Sequence, residues 1–252
     1  MTFVNKVVLV TGASSGIGAA TAIEFSKEGA HVVMVGRNEE KIGKVATKCT
    51  RVGLKPLVVI ADVSKDDDAK RIMKETIEKH GKLDILVNNA GFGRPGCLLD
   101  GSVVEAYDQI FDTNVRAVIY LSTLATPYLI QRKGNIVNVS SAAAKTTPWA
   151  ADSLAYFVSK AAVDQFTRGA ALELAPYGIR VNAVNPGPVN TDYLKNAEIN
   201  AKFEEFSVMT ALNRISQPEE IANMIAYLAG EKAVGITGST FVVDNGMLLK
   251  VN

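Results

Sequence analysis

The 252-residue sequence predicts an α/β fold with a doubly wound, seven-stranded parallel sheet in a single domain that spans residues 1–252. Short apolar runs recur along the chain, and longer segments with helical spacing separate them. Because the short runs do not alternate with polar residues, they are typical of strands buried on both faces, as in a parallel sheet covered by helices. Repeated alternation of strand and helix implies right-handed crossovers, and we find no linker-like composition that would divide the chain.

The predicted strands are rich in valine and isoleucine. They are Val7–Val10, Val32–Val35, Leu57–Ala61, Ile85–Val87, Ile136–Val139, Ile179–Val184 and Phe241–Val243. A glycine one to four residues before a strand predicts a helix end, because glycine readily takes the left-handed conformation that closes many helices. The glycines in such positions are Gly29, Gly53, Gly81, Gly134 and Gly178.

Helix starts are predicted from side chains that can cap the first turn. Asn38 follows the second strand, and Ser64 precedes Asp67 by three residues. Ser216 stands just ahead of Pro218, and proline fits the first turn of a helix. Asparagine and serine side chains accept hydrogen bonds from the free N–H groups at a helix start, so each position predicts an N-cap.

The composition excludes several functional classes. With 48% hydrophobic and 21% charged residues and a formal net charge of +1, the chain gives no reason to expect nucleic acid or an anionic membrane as a partner. No apolar stretch of about twenty residues is available to cross a membrane. Cys49 and Cys97 are too few for a disulfide scaffold, which favours free thiols in a reducing compartment over a bridge. We recognise no signal peptide and no cluster with metal-ligand spacing, so we expect a cytoplasmic protein without a metal.

A glycine-rich loop, Thr11–Gly18, joins the first strand to a helical segment. Its glycines allow a tight turn and a close backbone approach, and the helix N-terminus presents N–H groups to a pyrophosphate. The alternative is a glycine-rich turn without a ligand, but the strand before it and the helix after it favour a Rossmann-type dinucleotide site. The predicted contacts are Gly12, Ser14, Ser15, Gly16, Ile17 and Gly18.

The end of the second strand predicts which cofactor binds. It reads Val35-Gly36-Arg37-Asn38 and has no carboxylate until Glu39, whereas an NAD site places an Asp or Glu there to hold the ribose. Arg37 offers a planar set of donors suited to a 2′-phosphate, and Ser14 can add a hydroxyl. Arg37 and Asn38 are therefore predicted cofactor contacts, and NADP(H) is favoured over NAD, with a solvated Arg37 as the alternative.

A phenol and an ammonium group lie four residues apart at Tyr156 and Lys160, which places both on one face of a helix. Before them, Ser140 and Ser141 end a predicted strand. The carboxyl ends of parallel strands form the ligand crevice of such sheets, so these serines are expected beside the dinucleotide. Together the groups are candidates for proton transfer to or from a substrate oxygen.

The chain resembles the short-chain dehydrogenase/reductase family along essentially its whole length. The resemblance rests on Thr11–Gly18, Asp62-Val63, Asn88–Gly91, the series Ser141, Tyr156 and Lys160, and Pro186–Thr191. It implies a catalytic tetrad of Asn114, Ser141, Tyr156 and Lys160. Ser140 is the alternative serine, because the spacing from Ser141 to Tyr156 is a little longer than in the most familiar members.

The resemblance also implies which residues hold the cofactor outside the glycine-rich loop. Asp62 and Val63 contact the adenine, and the segment from Pro186 lies on the nicotinamide side. The full set is Asp62, Val63, Asn89, Ala90, Gly91, Tyr156, Lys160, Pro186, Gly187, Val189 and Thr191. The stretch Asp244-Asn245-Gly246 stands where many members carry Asp-Gly-Gly, a departure that removes no catalytic group.

A mechanism for carbonyl reduction follows from the resemblance. Ser141 and Tyr156 donate hydrogen bonds to the substrate oxygen, and Tyr156 supplies the proton. Lys160 and the oxidised nicotinamide lower the pKa of Tyr156, and Lys160 also holds the ribose hydroxyls. Asn114 positions a water between Lys160 and solvent, with a polar helix residue turned to solvent as the alternative.

We therefore expect an oxidoreductase that transfers a hydride between NADP(H) and a carbonyl or secondary alcohol. Predicted pocket walls at Phe92–Cys97, around Trp149 and at Tyr193–Met209 indicate a small or medium apolar substrate, such as a steroid, terpenoid, fatty or aromatic ketone. The alternatives are a 3-oxoacyl thioester reductase, which a basic patch at the site mouth would favour, an epimerase or dehydratase on the same scaffold, and a non-catalytic NADP-binding regulator.

Two helical segments predict self-association. Val103–Lys133 and Tyr156–Tyr177 carry apolar residues on more than one face, among them Leu121, Leu124, Phe166 and Leu172. A helix that is apolar beyond its sheet-facing stripe needs a second partner, and the resemblance implies pairing through these helices. We expect a homotetramer, with a dimer as the alternative.

Overall fold

Seven parallel strands form one sheet in the computed structural model, which describes residues 1–148, 150–193 and 203–250. The strands are β1 (Val7–Thr11), β2 (His31–Gly36), β3 (Leu57–Ile60), β4 (Ile85–Asn88), β5 (Asn135–Val139), β6 (Arg180–Pro186) and β7 (Thr240–Val243). Their order across the sheet is β3-β2-β1-β4-β5-β6-β7, which confirms the predicted doubly wound, single-domain α/β fold. The direction of winding reverses between β1 and β4, where a ligand crevice forms in such sheets.

Among the described residues, seven α-helices cover the sheet. They are α1 (Gly16–Lys27), α2 (Glu39–Val52), α3 (Asp66–His80), α4 (Val103–Phe111), α5 (Ala117–Arg132), α6 (Leu154–Leu174) and α7 (Pro218–Ala229). A π-helical turn, Asp112–Arg116, joins α4 to α5. Short 3₁₀ segments lie at Ala142–Lys145, Ala151–Ser153, Ala175–Tyr177, Phe203–Met209, Glu231–Ala233 and Met247–Leu249.

The central strand β1 is buried on both faces. Val8 and Val10 pack in a core with α1, α2 and α7, whereas Val7 and Leu9 pack in a second core with α3, α5 and α6. Because each face has its own helical layer, all four positions from Val7 to Val10 carry apolar side chains, and the sequence run does not alternate. Burying each such side chain contributes about 1.5–3 kcal/mol.

The predicted helix ends are mostly closed by left-handed residues. Gly29, Gly81 and Gly178 have φ angles of 85°, 70° and 73°. At the end of α5 the left-handed residue is Lys133, with φ 47°, and not the predicted Gly134. Gly134 is required for a different reason, since a β-carbon there would lie 2.6 Å from the carbonyl oxygen of Asp84. Gly53 ends α2 in an extended conformation, with φ −164°.

Of the predicted N-caps, Asn38 is confirmed, since its side chain accepts a hydrogen bond from the backbone of Lys41. Helix α3 begins one residue later than predicted, with Lys65 as N-cap. The reason is local: both the N–H and the hydroxyl of Ser64 donate to the carboxylate of Asp62, at 3.0 and 2.8 Å.

Helix α7 also begins one residue later than predicted. Gln217 is its N-cap in place of Ser216, and Glu220 completes a reciprocal capping box with it. The Ser216 hydroxyl instead accepts a hydrogen bond from Asn245 Nδ2 at 2.9 Å. Among the described residues, no helix is both long and apolar enough to cross a membrane.

Candidate active site

A cavity of about 770 Å³ opens along the carboxyl ends of the strands. It runs from the glycine-rich loop after β1 to Phe206 and Met209. Most of the predicted site residues line it: Gly12, Ser14, Ser15, Gly16, Ile17, Arg37, Asp62, Val63, Asn89, Ala90, Gly91, Ser141, Tyr156, Lys160, Pro186, Gly187, Val189 and Thr191. Gly18, Asn38 and Asn114 lie outside the lining formed by the described residues. Of the predicted pocket walls, Trp149 and residues 194–202 fall outside those residues.

The glycine-rich loop leaves the N-terminus of α1 open to the cavity. Gly12 and Gly16 have left-handed φ angles of 66° and 52°. Ser15 is the N-cap, and within the described residues its side chain makes no capping hydrogen bond. The first N–H groups of the helix are therefore available to an anionic ligand. A β-carbon at Gly16 would lie 2.8 Å from Thr191 Cγ2, so the segment after β6 covers this loop closely.

Side chains tie the ends of β1 and β4 together beside the loop. Thr11 Oγ1 accepts hydrogen bonds from the backbone N–H groups of Asn89 and Ala90, at 2.9 and 3.0 Å. Asn89 Nδ2 donates back to the carbonyl oxygen of Thr11 at 2.9 Å. Gly18 packs on this junction, where a β-carbon would lie 2.5 Å from Asn89 Nδ2. These contacts fix the loop at the point where the winding of the sheet reverses.

Arg37 follows β2 and lines the same cavity. Its guanidinium lies 3.7 Å from the carboxylate of Asp62, and its side chain is 73% exposed, so it can turn to a ligand. The side chain of Asn38 faces helix α2, where it accepts from Lys41 N at 2.8 Å. An uncapped helix N-terminus, a glycine-lined cradle and an exposed guanidinium fit the phosphate groups of a dinucleotide.

Tyr156 lies in the first turn of α6 and faces the end of β5. Hydrogen bonding by the side chains of Ser141 and Tyr193 lowers the pKa of this phenol. Ser140 is engaged elsewhere, because its Oγ donates to the backbone carbonyl of Lys160 at 3.1 Å. The Ser141 hydroxyl accepts from Ala143 N at 3.1 Å, and of the two serines it is the one that acts on the pKa of the phenol.

Burial raises the pKa of Tyr156 above its ordinary value, and the hydrogen bonds with Ser141 and Tyr193 oppose this rise. The surrounding protein raises the pKa of Tyr156, whereas the sequence analysis expects Lys160, together with the oxidised nicotinamide, to lower it. The Nζ of Lys160 lies 5.7 Å from the centroid of the ring, and burial is the largest cause of the shift in this pKa. A phenol with a raised pKa is protonated at neutral pH, which suits a group that gives a proton to a substrate oxygen.

Lys160 is buried, with 5% of its surface exposed, and its Nζ donates to the carbonyl oxygen of Val139 at 2.9 Å. Burial lowers the pKa of the ammonium group to about 8, while the carboxylate of Asp164 acts in the opposite direction. The lysine therefore brings a positive charge into the cavity wall at neutral pH.

The sequence analysis did not identify the polar residues around Asp164, which lies one helical turn after Lys160. Asp164 is buried, lies 2.8 Å from Lys145 Nζ, and accepts a hydrogen bond from Asn185 Nδ2 at 3.0 Å. The four-residue spacing from Lys160 to Asp164 was a usable signal, since residues so spaced share a helix face. Lys145 and Asn185 come from other segments, and no spacing in the sequence relates them.

Asn114 lies in the π-helical turn between α4 and α5, a geometry found often at functional sites. Its Oδ1 accepts from Phe92 N at 3.0 Å, and its Nδ2 donates to Phe92 O and Ser159 Oγ at 2.9 and 3.2 Å. It is 1% exposed, so it is not turned to solvent. Asn114 thereby fixes the segment after β4 against α6, next to Lys160.

Two further observations concern metal and thiol chemistry. Among the described residues, no group of three or more histidine, cysteine or carboxylate side chains could hold a metal ion. Cys49 and Cys97 are free thiols, and Cys49 is buried.

Comparison with known proteins places the chain in a family. It matches the family described as Enoyl-(Acyl carrier protein) reductase over residues 12–248. Glucose 1-dehydrogenase of Gluconobacter oxydans is 39% identical to it, with 98% of this chain and 93% of that protein covered. Meso-2,3-butanediol dehydrogenase of Serratia marcescens is 37% identical, covering 98% and 96%. The 3-oxoacyl-[acyl-carrier-protein] reductase of Staphylococcus aureus is 38% identical, covering 97% and 99%.

Solved structures agree with this placement. A short-chain dehydrogenase/reductase of unknown function from Caenorhabditis elegans, solved with cofactor, has a TM-score of 0.92 at 35% identity, covering 99% of this chain and 97% of that chain. A short-chain dehydrogenase from Burkholderia cenocepacia, in complex with NADP, has a TM-score of 0.91 at 32% identity, covering 98% and 100%. A 3-ketoacyl-(acyl-carrier-protein) reductase from Brucella melitensis, complexed with NADH, has a TM-score of 0.87 at 34% identity, covering 97% and 98%. The chain belongs to the short-chain dehydrogenase/reductase family of oxidoreductases.

Proposed function

We propose that this protein is a cytoplasmic, NADP(H)-dependent carbonyl reductase that interconverts a ketone or aldehyde and an alcohol. The observation that carries the proposal is the cluster of the Ser141 and Tyr156 hydroxyls with the Lys160 ammonium group at the wall of one cavity. Bound NADPH supplies the hydride that adds to the carbonyl carbon. The free thiols of Cys49 and Cys97 support a reducing compartment.

In this proposal Tyr156 gives its proton to the oxygen that becomes negative during reduction. Its raised pKa keeps the proton in place until negative charge develops on the substrate. Ser141 donates a second hydrogen bond to the same oxygen, and such preorganised donors stabilise the transition state. In alcohol oxidation the roles reverse, and Tyr156 must accept the proton.

Lys160 and Asn114 support this step. The ammonium group of Lys160 stabilises the tyrosinate left behind by Tyr156 and binds the hydroxyls of the cofactor ribose. Asn114 holds the segment at Phe92 beside Lys160, where a water can connect the lysine to solvent. These roles are carried over from the family resemblance.

The choice of NADP(H) rests on the end of β2. Similar structures contain either NADP or NADH, so family membership alone does not decide the cofactor. Arg37 provides an exposed guanidinium at the cavity, and Ser14 lines it from the opposite loop. A guanidinium forms paired hydrogen bonds with a phosphate. The stretch Gly36–Asn38 has no carboxylate that would repel the phosphate. Asp62 is the carboxylate that Arg37 must leave to reach the phosphate.

The proposed substrate is a small or medium apolar carbonyl compound, such as a steroid, terpenoid, fatty or aromatic ketone. The described walls beyond Tyr156 include Pro95, Phe157, Phe206 and Met209, which offer aromatic and aliphatic contacts. A second candidate is a 3-oxoacyl thioester reductase, which the 38% identity to the Staphylococcus aureus enzyme favours. Asp152 also lines the cavity, and its carboxylate does not favour the anionic carrier of such a thioester.

We also propose that residues 1–252 form one catalytic domain and that the protein is a homotetramer. Apolar side chains of α4, α5 and α6 are exposed on faces turned away from the sheet, among them Val104, Tyr107, Ile119 and Leu172. Of the apolar residues that the sequence analysis named, Leu121 belongs to the core under the sheet, and Leu124 and Phe166 are partly buried against it. Exposed apolar helix faces favour association.

The proposal is tested by measuring NADPH consumption with a panel of ketones, aldehydes and 3-oxoacyl thioesters. We expect turnover of apolar ketones, whereas preferred turnover of the thioesters would select the second candidate. Tight NADPH binding without turnover of any compound would instead indicate a non-catalytic regulator.

Tyr156→Phe is the decisive variant, because it keeps the ring and removes the proton donor. Loss of a general acid and of an oxyanion donor predicts a fall in kcat of about a thousand-fold or more, with NADPH affinity nearly unchanged. Tyr227→Phe, which removes an exposed hydroxyl on α7, is the matched control. If Tyr156→Phe kept a tenth of the wild-type kcat, Tyr156 would be a packing residue.

A further inference from the structure

Tyr193 places a second phenol against the reaction centre. It lies in the segment that follows β6, and its backbone N–H donates to Thr191 Oγ1 at 3.2 Å. Its ring centroid is 5.5 Å from that of Tyr156, with an angle of 53° between the ring planes. Hydrogen bonding between the two side chains acts on the pKa of both phenols, so Tyr193 is placed against the group that is proposed to transfer the proton.

The opposite wall is shaped to admit this hydroxyl. Gly93 lies in the segment after β4, and a β-carbon at this position would collide with the Tyr193 hydroxyl oxygen. The same β-carbon would lie 3.6 Å from Cδ2 of Tyr156. Glycine at position 93 therefore leaves the space in which the two phenols meet, and two segments distant in the chain cooperate to form the contact.

The direction of the hydrogen bond follows from the surroundings of the two phenols. Burial raises the pKa of Tyr193 well above its ordinary value, and proximity to Tyr156 raises it further. The same contact opposes the rise in the pKa of Tyr156. Lys160 Nζ lies 5.7 Å from the centroid of the Tyr156 ring, so its positive charge favours ionisation of Tyr156, and Tyr193 then keeps its proton and donates it to the tyrosinate. A donor to the charged form of a group favours that form.

We propose that Tyr193 is a further catalytic residue, whose hydroxyl stabilises the tyrosinate that Tyr156 becomes when it transfers its proton. This inference rests on the proposed function. In reduction, the O–H bond of Tyr156 breaks and the proton goes to the substrate oxygen as the hydride adds to carbon. The negative charge then on Tyr156 is held by the Lys160 ammonium group and by the Tyr193 hydroxyl, until solvent returns a proton.

Tyr193→Phe tests the role, because it keeps the ring and removes the donor. We expect kcat to fall about ten-fold, less than for removal of a donor that contacts the substrate oxygen directly. In alcohol oxidation, the rising limb of kcat/KM against pH should move to higher pH, because the tyrosinate has lost a donor. The dissociation constant of NADP(H) should stay unchanged. Tyr227→Phe is the matched control, and it should keep the wild-type profile.

Gly93→Ala provides an independent variant. Its added methyl group collides with the Tyr193 hydroxyl and should move the rising limb in the same direction as Tyr193→Phe. The double variant should show no further move, because the hydroxyl displaced by the methyl group is already absent. Two independent displacements would contradict the shared contact.

Two outcomes overturn the proposal while the proposed function stands. One is a Tyr193→Phe enzyme with wild-type kcat and pH profile, and the other is a change in KM alone, which would make Tyr193 a substrate wall. Failure of the proposed function looks different, since the wild type would then show no turnover or Tyr156→Phe would keep it. In that case the ¹³Cζ NMR resonance of Tyr156 decides the contact: it should move in Tyr193→Phe, and a fixed resonance overturns the proposal.

Discussion

At the scale of single residues, Lys160 carries its charge where burial disfavours it. The pKa of this ammonium group is lowered from 10.5 to about 8, with burial as the main cause. A difference of this size corresponds to about 3 kcal/mol that the folded state loses when the lysine is charged. The hydrogen bond to Val139 and the carboxylate of Asp164 offset only part of the burial. A site that needs a cation beside Tyr156 thus lowers the stability of the fold.

Lys160→Met is therefore expected to raise the free energy of unfolding by about 2–3 kcal/mol at pH 7, while activity is lost. The unfolded lysine stays protonated up to about pH 10.5, but the folded one becomes neutral above about pH 8. Wild-type stability consequently rises between these values, and the advantage of the variant should disappear by pH 10.5. Urea unfolding at pH 7 and pH 9.5 measures this, with exposed Lys79→Met as the control. A variant less stable than the wild type at pH 7 would contradict the argument.

At the scale of secondary-structure elements, the strands were the most predictable part of the molecule. Runs such as Val7–Val10 are apolar at every position because helices cover both faces of the sheet. An uninterrupted apolar run therefore indicates such a strand from the sequence alone. Helix starts were less exact. Ser64 can cap a helix, but a nearby carboxylate, Asp62, competes for its donors and moves the start to Lys65.

The candidate site was predictable where one element carries several of its groups. Tyr156 and Lys160 share one turn of α6, and a fixed spacing reveals them. The contact between Tyr193 and Tyr156 depends on space left at Gly93, in a third segment of the chain. The pairing of Asp164 with Lys145 likewise joins separate segments. Such contacts depend on the folded geometry, and no local pattern encodes them.

The loop after β2 carries the prediction on cofactor choice. With Arg37 available to a 2′-phosphate, we expect NADPH to be preferred at least about ten-fold in kcat/KM, or about 1.4 kcal/mol. Arg37→Asp should weaken the use of NADPH far more than that of NADH, because it replaces the donors with a charge that repels phosphate. Steady-state kinetics with both cofactors measure this, and Arg51→Asp, an exposed change in α2, is the control. Equal use of NADH by the wild type would refute the assignment.

At the scale of the whole molecule, the exposed faces of α4 and α5 predict the assembly. Tyr107, Phe111, Ile119 and Tyr120 line a shallow groove on these faces. A second copy that covers the groove would remove this apolar surface from water. We expect light scattering to give a tetramer at micromolar concentration, and Ile119→Glu to shift it to smaller species. A monomeric wild type would show that the groove has another use.

The two ends of the strands have different roles: the candidate active site lies at the carboxyl ends, and a stabilising carboxylate lies at the amino ends. The cavity lies at the carboxyl ends of the strands, whereas Asp84 lies just before β4 at the opposite edge. This carboxylate is 3% exposed, accepts from Val7 N at 2.9 Å, and lies 3.2 Å from Arg132 Nε. It therefore links the starts of β1 and β4 to the end of α5.

Asp84→Asn should separate the two properties. The amide keeps an acceptor for Val7 but loses the charge that Arg132 and two lysines face, so we expect a loss of about 1–3 kcal/mol in the free energy of unfolding. Because Asp84 is at the far edge from Tyr156, kcat per folded molecule should not change. Urea unfolding and kinetics on the same preparation measure both quantities. Asp67→Asn, whose side chain is 99% exposed, should change stability by less than about 0.5 kcal/mol. A parallel fall in kcat would mean that the amino edge of the sheet also positions the catalytic groups.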